Sequence, residues 1–117
     1  DPEYMEAILV LMSIYAKHER YEDVIQLFEH LQNEDFDWTA LYPYVAEAYD
    51  KEEEFDKAYE IYKNAYTDFK EDVAFLEKYC YFLIEDGKRE EAYVIAQQLA
   101  LLQPTEQEWQ ILLERFE

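Results

Sequence analysis

Leu41 to Ala65 reads LYPYVAEAYDKEEEFDKAYEIYKNA. Apolar and small residues recur along it at helical spacing: Tyr42, Val45, Ala46 and Tyr49, then Phe55, Ala58, Tyr59, Tyr62 and Ala65. A polar, acidic turn, Asp50 to Glu54, separates the two runs. Two amphipathic helices joined by a short turn predict an antiparallel helical hairpin. One such hairpin cannot bury its own apolar face, so it calls for neighbours built to the same plan.

The neighbours lie one step of 34 residues away on either side. Ala58 moves forward to Ala92 and back to Val24; Tyr62 moves to Ala96 and Phe28. Ala46 moves to Cys80 and Met12, and Tyr49 to Leu83 and Tyr15. The turns fall into phase as well, at Lys17 to Tyr21, Lys51 to Phe55 and Glu85 to Arg89. Pro2 and Pro104 are 102 residues apart, three such steps, and no gap is needed anywhere.

A period of 34 with this pattern resembles the tetratricopeptide repeat, W-x2-L-G-x2-Y, then A-x3-F, then P. The middle copy answers with Tyr42, Val45, Ala46, Tyr49, Ala58 and Tyr62, and has Lys70 in the proline's place. The third answers with Leu76, Tyr79, Cys80, Leu83, Ala92, Ala96 and Pro104; the first with Ile8, Leu11, Met12, Tyr15, Val24, Phe28 and Phe36. No copy carries the family's tryptophan or glycine, and Met12 and Val24 stand where small residues are usual, so the first pair of helices should pack less closely. The resemblance implies an all-α superhelix of three helix-turn-helix repeats, at 5–38, 39–72 and 73–106, with a capping helix at 105–116. It treats the 117 residues as a single domain, and Pro2, standing where an upstream repeat would end, suggests the C-terminal part of a longer array.

Composition agrees. Half the residues are hydrophobic, which argues against disorder, and a single glycine and three prolines leave little room for strand hairpins. Twelve tyrosines suit thin helical layers, where a ring packs while its hydroxyl reaches water. With 29 acidic against 10 basic residues the net charge is −19, which disfavours nucleic acid and anionic membranes as partners. The lone Cys80 excludes an internal disulfide and points to a reducing, cytoplasmic compartment, and no apolar run is long enough to cross a bilayer.

The predicted helices run from Pro2 to Lys17, with Asp1 as N-cap, then Tyr21 to Gln32, Thr39 to Lys51 and Glu54 to Thr67. They continue from Asp72 to Glu85 and from Arg89 to Leu102, broken by Gln103-Pro104. Pro43 is tolerable in a first turn, and Asp86-Gly87 makes a good helix end. Thr105-x-x-Glu108 reads as a capping box opening a last helix whose apolar positions are Trp109, Leu112, Leu113 and Phe116.

No catalytic or cofactor motif emerges. His18 and His30 are surface residues without metal-ligand spacing, and Cys80 reads as a buried small hydrophobe rather than a nucleophile. Asp35-x-Asp37 and Glu52-Glu53-Glu54 lack the glycine and spacing of a calcium loop, and a phosphate loop would need more glycines. The chain is therefore read as a noncatalytic binding module with neither metal nor cofactor.

In the family the concave face is lined by positions 2, 5, 6, 9, 12 and 13 of each repeat. Carried over by phase, these are Glu6, Leu9, Val10, Ser13, Ala16 and Lys17; Ala40, Pro43, Tyr44, Glu47, Asp50 and Lys51; and Ala74, Glu77, Lys78, Tyr81, Ile84 and Glu85. Leu9, Val10, Ser13, Lys17, Tyr44, Glu47, Lys51, Glu77, Lys78, Tyr81 and Ile84 are the candidate contact residues. Their mixture of apolar, tyrosine and charged groups suits a peptide or helix of a partner protein with apolar anchors and basic residues. Relatives that hold acidic chaperone tails use a clamp of lysine, arginine and asparagine. Here Leu9, Ser13, Pro43, Glu47, Glu77 and Tyr81 fill those positions, so an acidic tail is not expected. The alternative is self-assembly, a homodimer through the exposed N-terminal face that carries Ile8, Leu11 and Tyr15.

Overall fold

The computed structural model describes residues 2–116, apart from the side chain of Pro2; the expected N-cap, Asp1, lies outside them. Its elements are α1 (Pro2–Lys17), α2 (Tyr21–Leu31), a 3-10 turn (Thr39–Leu41), α3 (Tyr42–Lys51), α4 (Phe55–Ala65), α5 (Val73–Glu85), α6 (Arg89–Leu102) and α7 (Gln107–Phe116). No strand occurs among the described residues. The chain forms two compact units, Asp1–Asp68 with α1 to α4 and Phe69–Glu117 with α5 to α7.

The turns repeat as faithfully as the helices. Glu19, Glu53 and Gly87, each one period from the next, have left-handed φ values of 58°, 62° and 78°. At each, the following residue donates its N–H to a carbonyl five residues back: Arg20 to Tyr15 (2.8 Å), Glu54 to Tyr49 (2.8 Å) and Lys88 to Leu83 (2.9 Å). This is the Schellman closure, which satisfies an orphan carbonyl and reverses the chain. Three copies of one turn make three copies of one hairpin.

In the first unit, α3 packs against α4 and α2, and α1 against α2, α3 and the 3-10 turn. Met12 and Val24 are fully buried, and the backbones of α1 and α2 come close at fewer places than those of α3 and α4, whose small residues Ala46 and Ala58 are also fully buried. Large side chains at a crossing hold helices apart, as the sequence leads one to expect. Helix 3 begins later than predicted. Pro43 has no N–H to give Thr39's carbonyl, so Thr39–Leu41 tightens into a 3-10 turn and the α-helix starts at Tyr42, with Pro43 in its first turn. Asp37 starts the turn by accepting the Thr39 N–H (3.1 Å) and hydroxyl (2.5 Å), bonds that lower the pKa of its carboxyl.

In the second unit α6 packs against both α5 and α7. Asp72 caps α5, accepting the Phe75 N–H at 3.1 Å. The Thr105 capping box is a correction. Glu106 N–H bonds the Gln103 carbonyl (3.0 Å), which puts Pro104 and Thr105 at the two centres of a turn, and α7 opens only at Gln107. Trp109 then inserts, 1 % exposed, and its indole N–H donates to the Gln103 side chain (2.9 Å). Helix α7 also keeps the period. Trp109 lies one step beyond Phe75 and two beyond Leu41, and all three are buried.

Candidate functional site

The candidate residues fall in both units. In the first, α1 carries Leu9 and Ser13, half-buried, and Val10 and Lys17, exposed; α3 carries Tyr44 and Glu47, half-buried, and Lys51, exposed. The Ser13 hydroxyl donates to its own helix at the Val10 carbonyl (2.7 Å), which leaves it a poor donor to a ligand. Tyr44, Glu47 and Lys51 are spaced three and four residues apart, which sets them on one side of α3. The Tyr44 hydroxyl has no hydrogen-bond partner among the described residues. Glu47 lies near Tyr21, whose hydroxyl is pushed up in pKa by burial first and by Glu47 second.

In the second unit, α5 carries Glu77 and Ile84, half-buried, and Lys78 and Tyr81, exposed. Tyr81 is already engaged. Its hydroxyl donates to the Glu108 carboxylate and its ring lies 5.9 Å from that of Trp109, so α7 sits over part of the surface read from sequence as a contact site. Glu108 and Trp109 were missed as neighbours of that surface. One further step of the period would have found them, because Glu108 follows Glu6, Ala40 and Ala74 at the second position.

The other chemistry that the sequence raised centres on Cys80. Cys80 is fully buried, its thiol lies 3.7 Å from the Ala92 carbonyl, and burial, with the charge of Glu108 adding to it, pushes its pKa up to about 12. That is a packed small hydrophobe and not a nucleophile at neutral pH. Among the described residues no cluster of His, Cys, Asp and Glu could hold a metal ion, and no helix is long and apolar enough to cross a membrane.

Tyrosine hydroxyls tie elements of the first unit together at two places. Tyr4, Phe36 and Trp38 meet with centroids 5.4 to 6.4 Å apart, and the Tyr4 hydroxyl donates to Glu34 (3.1 Å), fastening the loop after α2 to the start of α1. Tyr49 on α3 donates to Glu29 on α2 (3.0 Å), and burial and that carboxylate raise its pKa.

Paired helices in a 34-residue register, with matched left-handed turns, define a protein of the tetratricopeptide class. Residues 40–106 match the family described as YpiA-like, C-terminal tetratricopeptide repeats, and the chain belongs to that family. It is 30 % identical over 122 residues to the TPR repeat-containing protein YpiA of Bacillus subtilis (strain 168), of which it spans 28 % of the length. A solved structure titled MamA MSR-1 C2 superposes with a TM-score of 0.73 at 18 % identity, over 97 % of this chain and 63 % of that one. That likeness is one of fold.

Proposed function

We propose that the chain is a noncatalytic protein-interaction module, and that its first unit takes a peptide or helical segment of a partner along the side of α1 and α3 that carries Leu9, Ser13, Tyr44, Glu47 and Lys51. Family membership supports the general role. The observation that carries the site is Tyr44. It is a partly exposed aromatic ring whose hydroxyl has no partner among the described residues, on the same helix side as an acid and a lysine. Such a residue can bury its ring against an apolar anchor and still offer a hydrogen bond. Glu47, in a chain of net charge −19, favours a segment with lysine or arginine near its anchor. On α5 the Tyr81 hydroxyl is taken by Glu108, so Tyr44 is the stronger anchor of the two.

Selection from a random peptide library tests this. Enriched sequences should pair apolar residues with basic ones, and Tyr44→Ala should weaken the best of them roughly thirtyfold with helicity unchanged. Enrichment of acidic peptides, or binding indifferent to Tyr44→Ala, would reject the site.

A further inference from the structure

In the second unit one tyrosine bridges two helices. Tyr81 on α5 reaches across to α7, where its hydroxyl donates to Glu108 and its ring lies 5.9 Å from that of the buried Trp109. Tyr81 stands at the ninth position of its copy of the repeat, and Glu108 at the second position of the following step. Two periods earlier those positions hold Ser13 on α1 and Ala40 in the 3-10 turn, and the counterpart of Trp109 is Leu41. The first unit repeats the junction with two short side chains in place of the reaching pair.

Helix α1 packs against both the 3-10 turn and α3, as the period requires. Packed helix axes lie about 8–10 Å apart, a span that tyrosine and glutamate bridge and serine and alanine do not. The Ser13 hydroxyl is turned back on its own helix, to the Val10 carbonyl at 2.7 Å, and Ala40 is exposed. One turn away on either element stand larger side chains, Leu9 before Ser13 and Tyr44 after Ala40, both half-buried. Leu41, 1 % exposed, backs the junction in the register from which Trp109 backs the Tyr81 ring. Short side chains between two larger ones, over an apolar base, make a seat for a flat ring.

We propose that a partner segment supplies that ring: an aromatic side chain, tyrosine or phenylalanine, seated over Ser13 and Ala40 between Leu9 and Tyr44. The inference rests on the groove reading above and adds to it the identity of the anchor. An aromatic residue is favoured over an aliphatic one on two grounds. The chain's own residue at this junction, where the second unit fills it, is a tyrosine. Tyr44 also offers a ring for an edge or offset contact, which adds to the burial of area, and a hydroxyl without a hydrogen-bond partner among the described residues to meet that of a tyrosine anchor.

Selection from a random peptide library, followed by titration of the best peptide, tests it. Enriched sequences should share one aromatic residue, and its replacement by alanine should weaken binding roughly thirtyfold. Ser13→Tyr with Ala40→Glu rebuilds the Tyr81 and Glu108 pair in the first unit and should weaken the parent peptide to a similar degree. Ala40→Trp, at an exposed position, closes the seat from the other element and should do the same with circular dichroism unchanged. In either variant the peptide's aromatic-to-alanine change should cost almost nothing more, because both changes remove one and the same contact. Peptides that need Tyr44 but share no aromatic residue would overturn the aromatic anchor and leave the groove reading standing. Undiminished binding to the Ala40→Trp protein, or losses that simply add, would also overturn it, since the ring would then sit elsewhere. Binding indifferent to Tyr44→Ala would remove the groove reading and this inference together.

Discussion

Tyr81 on α5 donates its hydroxyl to Glu108 on α7, and its ring lies 5.9 Å from Trp109. The pair ties the last helix to the helix two before it in the chain, across the turn at Gln103–Glu106. Tyr81 is 41 % exposed, so water competes for the bond. Tyr81→Phe should lower the unfolding free energy by only about 0.5–1 kcal/mol, and Tyr81→Ala, which also loses the ring contact, by about 2 kcal/mol. Urea denaturation measures both. Equal losses would mean that the ring contact contributes nothing, and no loss in Tyr81→Phe that the hydroxyl contributes nothing.

The two tryptophans make a matched comparison. Trp109 is 1 % exposed and its indole N–H has Gln103 as acceptor; Trp38 is 4 % exposed and its N–H has no partner among the described residues. A buried donor without an acceptor costs about 1–3 kcal/mol. Trp38→Phe removes that cost along with some packing, whereas Trp109→Phe removes packing and a made bond. The second variant should therefore be less stable than the first by about 2 kcal/mol. Each retains the other tryptophan as a fluorescent probe of unfolding, and a difference near zero would refute the assignment.

Much of this architecture was legible because a period constrains every copy at once. Met12 and Val24 foretold the looser first pair, and the three turns foretold three hairpins. What escaped depends on contacts between residues far apart in sequence. The capping box at Thr105 is sound local logic, yet Trp109 finds burial and an acceptor only when the chain turns at Gln103–Glu106, and that turn claims Thr105. Tyr81 looked like an open groove residue because Glu108 is 27 residues away. The Tyr4, Phe36 and Trp38 cluster was hidden likewise, in a loop that reads only as acidic.

The left-handed turn positions differ in residue type while sharing one backbone shape. Glu19 and Glu53 hold φ near 60°, a conformation that costs an L-residue about 1–2 kcal/mol and glycine almost nothing. Replacing either with glycine relieves that strain and gives back part of the gain to the freer unfolded chain, so each should stabilise by up to about 1 kcal/mol. Gly87→Ala should cost about 1 kcal/mol, and only through backbone strain, because nothing lies within 4 Å of the added methyl. Denaturant midpoints of the three variants check the argument. A Gly87→Ala protein as stable as its parent would contradict it.

Cys80 offers a chemical readout of the second unit. Its thiol is fully buried and its pKa is raised from 9.0 to about 12, chiefly by burial. Near pH 8 the thiolate fraction is thus roughly a thousandfold below that of the unfolded chain, and alkylation should proceed only through opening of α5, α6 and α7. The same shift links stability to pH. Below pH 9 the thiol is protonated in both states and its contribution is intact; as pH rises towards 12 the unfolded state alone ionises, so stability falls across that window. Cys80→Ala should flatten this part of the alkaline stability profile and leave the neutral region with only the small cost of a lost sulfur. Rapid labelling of the native chain at pH 8, or an alkaline profile unchanged in Cys80→Ala, would show that the thiol is not sealed between α5 and α6.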